Sequence, residues 1–217
     1  YGKKKGALLL EKFNASIAGN PEDHCFLGDN CYTTNHLNYY MQYAYCCQFI
    51  AFGQIGLIAE LGPGSGKQVE VIKKFHPHIT FLLFDLGPQL YVCEQYLKSV
   101  FPNEVISYIE TRELEQISVD GKGKIYMFGA YKFPFLSGIK ADLFWNSASF
   151  QEMEPSIVEN YLAYVRETAS NVYLRQRLGG HLEGEKSVLK KVTFRHYINC
   201  FHSLEMADIS RIECVGY

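Results

Sequence analysis

The chain has 217 residues, 47% hydrophobic and 20% charged, which is enough for one large core and short for two. Its 23 acidic and 21 basic side chains leave a formal charge of -2, which gives no general attraction to nucleic acid or anionic lipid and favours a small or neutral partner. Seven scattered cysteines, with no CxxC pair and no paired-histidine spacing for zinc, fit reduced thiols in a cytosol.

The start, "YGKKKGALLL", lacks the length and small-residue cleavage site of a secretory signal, and the absence of an initiator Met suggests a trimmed chain. No apolar run reaches the roughly 20 residues needed to cross a bilayer. Residues 1–20 carry weak signals, and "GNPEDH" from Gly19 reads as a loop. In "TTNHLNYYMQYAYCCQFIAF", Leu37, Tyr40, Met41, Ala44, Cys47 and Ala51 recur at helical spacing, with Thr34 or Asn35 placed to cap. The tyrosines Tyr32, Tyr39, Tyr40, Tyr43 and Tyr45 are mostly core or interface by that spacing, and Cys46 and Cys47 read as small buried hydrophobes. Residues 1–52 are therefore expected to form a helical N-terminal segment, or lid, ahead of an α/β domain over 53–217.

From Ile55 short apolar runs alternate with longer periodic segments. "IGLIAEL" and "ITFLLFD" predict strands, and the segment between them is a helix that Pro77 stops. Leu90, Cys93, Leu97, Val100 and Phe101 form the next helical stripe, ending at Pro102. "NEVISYIE", "KIYMFGAY" and "ADLFWN" are strand candidates, Pro155 to Ala169 a helix, and "NVYLRQ" a further strand. The alternation implies βαβ units, a mostly parallel sheet and helices on both faces. Ligands of such sheets bind beyond the carboxyl ends of the strands, where the strand order reverses.

The stretch "AELGPGSGKQ" stands at such an end. A P-loop, GxxxxGK[ST], needs glycine where Leu61 stands and Ser or Thr where Gln68 stands. A dinucleotide fingerprint needs its third glycine three positions after the second, and Gly64 is followed by Gly66. The pattern E-x-G-x-G-x-G fits, as Glu60, Gly62, Gly64 and Gly66. A carboxylate at Glu60 repels phosphate and suits a cationic head such as the α-ammonium of S-adenosylmethionine (SAM). Asp85, 19 residues after Gly66 at the end of the next predicted strand, can hold a ribose diol.

These residues make the chain resemble class I SAM-dependent methyltransferases, with a Rossmann-like fold. "FDLGPQLYVCEQYLKSVFP", "DLFWNSASFQEMEPSIVENYL", "VYLRQR", "GNP" and "YTTNHLNYYMQYAY" further resemble the sugar O-methyltransferases of bacterial polysaccharide gene clusters, over most of residues 19–177. "SFQEMEP" is the most specific of these stretches. The chain departs from that pattern at Gly87 and Ala148, and neither departure removes a charged group that the chemistry needs.

The resemblance implies a cofactor set of Glu60, Leu61, Gly62, Pro63, Gly64, Gly66, Asp85, Leu86, Gln89 and Asn146. Methyl transfer to a sugar hydroxyl also needs a general base, or a metal that acidifies the hydroxyl, because that hydroxyl titrates far above pH 7. Glu152 is the first candidate, and His181 in "RLGGHLEG" the second. The competing role for Glu152 is a helix N-terminal carboxylate, and for His181 a solvated loop residue or a donor to substrate. Ser147 and Gln151 are candidates to bind the acceptor, a small molecule or glycan, and no required metal is expected. The alternative to an enzyme is a SAM- or nucleoside-binding module of the same fold without turnover, with a nicotinamide oxidoreductase a distant third. A homo-oligomer is left open. Towards the end, "SVLKKVTFRHYINCF" predicts a helix and "ISRIECVGY" a last strand, which leaves the sheet either sparingly finished or cut short.

Overall fold

The structure is a computed structural model and describes residues 2–180, 189–201 and 204–210. Its frame is a six-stranded sheet in the order β5-β6-β4-β3-β7-β8. The strands are β3 (Leu57–Leu61), β4 (Thr80–Asp85), β5 (Val105–Ile106), β6 (Ile125–Gly129), β7 (Ala141–Ser147) and β8 (Ala169–Arg175), all paired in parallel. The chain runs outward from β3 through β4 to β6, then returns to lay β7 on the other side of β3. The strand order thus reverses between β3 and β7, and the carboxyl ends of those strands open the crevice that such a reversal creates.

Continuous apolar runs become central strands because both faces are covered. One face carries α1 (Thr34–Cys46), α2 (Lys67–Phe75) and α3 (Gly87–Val100), and Ile58, Phe81, Leu83, Met127, Leu143 and Trp145 point into that layer. The other face packs α5 (Pro155–Thr168), α6 (Phe194–Cys200) and the 3-10 segment Ala130–Leu136 over Ala59, Leu61, Phe84, Phe128 and Phe144.

The N-terminal segment shares the first core: Phe13, Tyr40, Tyr43 and Phe52 lie in one cluster with Val71 and Phe75 of α2. It also contains an antiparallel hairpin, β1 (Cys25–Leu27) with β2 (Asn30–Tyr32), that its weak sequence signals do not reveal. A buried polar hub fastens this segment. Glu70 of α2 accepts from the Ser16 N–H at 2.7 Å, pairs with His36 Nε2 at 2.9 Å and Lys74 Nζ at 2.6 Å, and accepts from the Tyr96 hydroxyl. Burial alone would raise the Glu70 carboxyl, but His36 and Lys74 outweigh it and bring it down to about 2.

Several elements differ from expectation. The cap of α1 is Thr33, whose side chain accepts from the His36 N–H, rather than Thr34 or Asn35. "NEVISYIE" is a strand only at Val105–Ile106, because Ser107 and Glu110 form a capping box that starts the short helix α4 (Tyr108–Thr111). Within the described residues, the helix expected from Ser187 runs over Phe194–Cys200, where Thr193 and His196 make the reciprocal cap. The strand expected over 209–217 falls outside the described residues from 211 onward. Among the described residues, no helix is long and apolar enough to cross a membrane.

Candidate cofactor and active site

The glycine turn leaves β3 at Leu61 and enters α2 at Lys67. Gly62, Gly64 and Gly66 all have positive φ, at 76°, 57° and 83°. Their surroundings differ. A Cβ on Gly66 would stand 2.8 Å from Leu97 Cγ and 3.0 Å from Cys93 Sγ, so this glycine lets α2 close on α3. A Cβ on Gly62 would stand 2.4 Å from Ser149 Cβ. Gly64, between them, has nothing within 4 Å of that position. The turn is pinned at both ends and bare in the middle.

Glu60 points into the α1–α2–α3 layer, because its register partners Leu83 and Trp145 lie in that core while its chain neighbours Ala59 and Leu61 lie in the other. It is 2% exposed, and its Oε2 has no hydrogen-bond partner. Burial, and then the nearby Asp85 carboxylate, push its carboxyl well above the ordinary range. A buried carboxyl with one bare oxygen is costly unless a donor arrives, and a cationic donor would remove the cost most completely.

Asp85 closes β4 and is half-buried. Its Oδ1 accepts from the Leu86 N–H at 2.8 Å, and the Gly64 backbone N–H faces the same carboxylate. Burial raises its pKa against those two N–H groups, and the charge of Glu152 raises it further. Leu86 is 70% exposed beside it, and Gln89 lies in the first turn of α3.

Asn146, near the end of β7, is wholly buried and fully engaged. Its Nδ2 donates to the Leu61 carbonyl at 2.8 Å and to Ser149 Oγ at 2.7 Å, and its Oδ1 accepts from Gln176 Nε2 at 2.6 Å. It acts as a peg between the ends of β3, β7 and β8. Ser147 donates from Oγ to Gln42 of α1 at 3.0 Å. Ala148 then turns the chain at φ 74°, a left-handed conformation that costs a non-glycine residue about 1 kcal/mol or more. Glu152, in the 3-10 turn Phe150–Glu152, is exposed and close enough to act on Asp85. Gln151 is turned towards β8, where its Oε1 accepts from the Arg177 N–H at 2.9 Å. Glu154 accepts from the Leu189 N–H at 2.6 Å. His181 lies outside the described residues.

The ends of β3, β4 and β7 thus gather Glu60, Leu61, the glycines with Pro63, Asp85, Leu86, Gln89, Asn146, Ser147 and Glu152, while Gln151 belongs to the β7–β8 seam. Sequence reasoning passed over Ser149 and Gln176, and used Gln68 only to exclude a P-loop. Gln68 was visible as a polar residue on a stripe with Val71 and Ile72, three and four residues on. Ser149 and Gln176 carry no local signal, because their roles are set by Asn146 and Leu61 across the sheet.

An all-parallel sheet reversed at β3 and β7, with a glycine turn after the first central strand and an acid at the end of its neighbour, defines the Rossmann-like fold of class I methyltransferases. No protein-family model matches the chain, and no curated protein matches it in sequence. Among solved structures, the magnesium protoporphyrin IX methyltransferase of Synechocystis PCC 6803 with bound S-adenosylhomocysteine (SAH) superposes with a TM-score of 0.52 at 9% identity, over 77% of this chain and 71% of that one. Mitomycin 7-O-methyltransferase aligns at 10% identity and a TM-score of 0.45, over 70% of this chain and 38% of its own. An O-methyltransferase family protein from Burkholderia thailandensis gives 10% and 0.45, over 71% and 40%. The chain thus spans less than half the length of the last two, and at these identities the likeness is one of fold.

Proposed function

We propose that the chain is a SAM-dependent O-methyltransferase acting on a hydroxyl of a sugar or sugar-containing metabolite. The observation that carries the cofactor reading is the bare Glu60 carboxyl beneath a glycine turn whose middle residue faces open space. A phosphate is disfavoured there, because its oxygens would meet the acceptor oxygens of Glu60 and Asp85 and oppose the ionisation of both acids. An ammonium answers the orphaned oxygen.

In this reading Glu60 pairs with the α-ammonium and Asp85 holds the ribose diol. Leu86 offers its exposed side chain to the adenine, with Gln89 beside it. Asn146 serves the site indirectly, by fixing the Leu61 carbonyl and Ser149 against the turn. When bound, SAM supplies a methyl group on a sulfonium, which is open to in-line displacement. The residues then have to orient the acceptor oxygen, exclude water and take one proton. Glu152 is our candidate for the proton, standing where its charge already reaches the site. Ser147 and α1, joined through Gln42, offer a wall on the acceptor side, with the N-terminal segment as its cover. The sugar acceptor is supported by the resemblance of "SFQEMEP" and its neighbours, and His181 remains the second candidate base.

The test is transfer of a labelled methyl group from SAM to a panel of sugar nucleotides and glycans, with Glu152→Gln beside the wild type. The proposal expects transfer to one acceptor class and at least a hundredfold lower turnover in the variant, with SAH affinity unchanged. Tight SAH binding without transfer to any acceptor would instead support a binding module.

A further inference from the structure

Gln68 is not part of the glycine pattern, and its side chain is difficult to explain as core. It sits in the first turn of α2, 2% exposed, and neither Nε2 nor Oε1 has a hydrogen-bond partner. Burying an amide without partners costs on the order of 1–3 kcal/mol, so a leucine or methionine would serve packing better. Several other buried polar side chains are paired: His36 and Glu70 with each other, Lys73 with Glu104 and the Gly123 carbonyl, Asn146 and Gln151 as described above.

Among the described residues Glu60 Oε2, the indole Nε1 of Trp145 and the Tyr197 hydroxyl are also bare, and the first two belong to the ends of β3 and β7, where Glu60 and Trp145 are register partners facing the layer that α2 covers. The set therefore combines a carboxylate, an amide and an N–H donor at the strand reversal, next to the open middle of the turn. A carboxylate complements an ammonium, and an amide or indole N–H complements a carboxylate. Together they match a zwitterionic α-amino acid.

We propose that Gln68 is a specificity-determining residue for the amino-acid end of the cofactor, its Nε2 donating to the α-carboxylate while Glu60 takes the α-ammonium. This rests on the SAM reading above and goes beyond it by assigning a residue outside the E-x-G-x-G-x-G pattern. Gly64, with nothing beside it, is the side from which the ligand enters.

The experiment compares two ligands on the wild type and on Gln68→Met, which keeps length and shape and removes both polar atoms. SAH carries the amino-acid end, and 5′-methylthioadenosine carries the adenosine and thioether without it. Calorimetry should show SAH affinity falling about 10- to 100-fold in the variant, the loss of a hydrogen bond to a charged group, while methylthioadenosine stays within about twofold. A variant with unaltered SAH affinity overturns the assignment. So does an equal loss for both ligands, which is the mark of a structural role. Thermal melting without ligand keeps the result readable: the variant should melt no lower than the wild type, because it removes two unpaired atoms. Failure of the wild type to bind either ligand would overturn the cofactor reading, and the Gln68 role with it.

Discussion

Replacing Glu60 by Gln should weaken ligand binding and strengthen the free protein at once. The substitution keeps the shape and removes the capacity to ionise from a side chain that is 2% exposed and has one unpartnered oxygen. An ammonium about 3 Å from a carboxylate gains roughly 5 kcal/mol at an effective dielectric of about 20, before the cost of ionising a buried acid is subtracted. A net loss of about 2 kcal/mol remains, or roughly 30-fold in SAH affinity. The free protein responds the other way. The folded carboxyl titrates above its ordinary value, so its stabilising contribution is complete below the ordinary range of Glu and is lost as pH rises through the raised value. Glu60→Gln removes that loss, and a gain of about 1 kcal/mol at neutral pH raises Tm by roughly 2–4 °C for a chain of this size. The ligand ammonium also favours ionisation, so binding to the wild type should release a proton and binding to the variant should not. Calorimetry in two buffers of different ionisation enthalpy counts that proton. Unchanged SAH affinity in Glu60→Gln, or a variant less stable than the wild type at neutral pH, would refute the reasoning.

The glycines should separate fold from binding. Gly66→Ala puts a Cβ at 2.8 Å from Leu97 at φ 83° and should cost on the order of 2–4 kcal/mol by urea titration, whereas Gly64→Ala, with nothing within 4 Å, should cost about 1 kcal/mol and chiefly weaken SAH binding. Glu70, lowered to about 2, contributes stability that is present above the ordinary range of Glu and lost as pH falls towards 2; Glu70→Gln should flatten that acid slope and cost about 3 kcal/mol at pH 7. His76 is lowered from 6.5 to about 4 by burial and by His78, so stability should fall as pH drops from 6.5 to 4, and His76→Phe, which can keep the stacking on Phe52, should remove that fall in a pH series of melts.

The central strands were legible because burial on both faces writes them as continuous apolar runs, as in "TFLLFD". The turn was legible because three glycines at alternate positions answer a backbone requirement that few other residues meet. Ser107 was misread as strand because "VISYI" alternates, while its capping box with Glu110, a hydrogen-bond pattern, overrides that alternation. Asn146 was expected at the cofactor because it ends a strand beside the crevice. Its commitment to Leu61, Ser149 and Gln176 depends on residues up to 85 positions away, which no local window contains. The hub of Glu70 and His36, 34 positions apart, was hidden for the same reason.

The most direct test of the account is calorimetric titration of the wild-type chain with SAH and, separately, with NAD. The Glu60 carboxyl, which ionises against the ligand ammonium, and the step from Gly64 to Gly66 predict one site for SAH, with proton release, and no measurable binding of NAD. Tight NAD binding with none for SAH would contradict it.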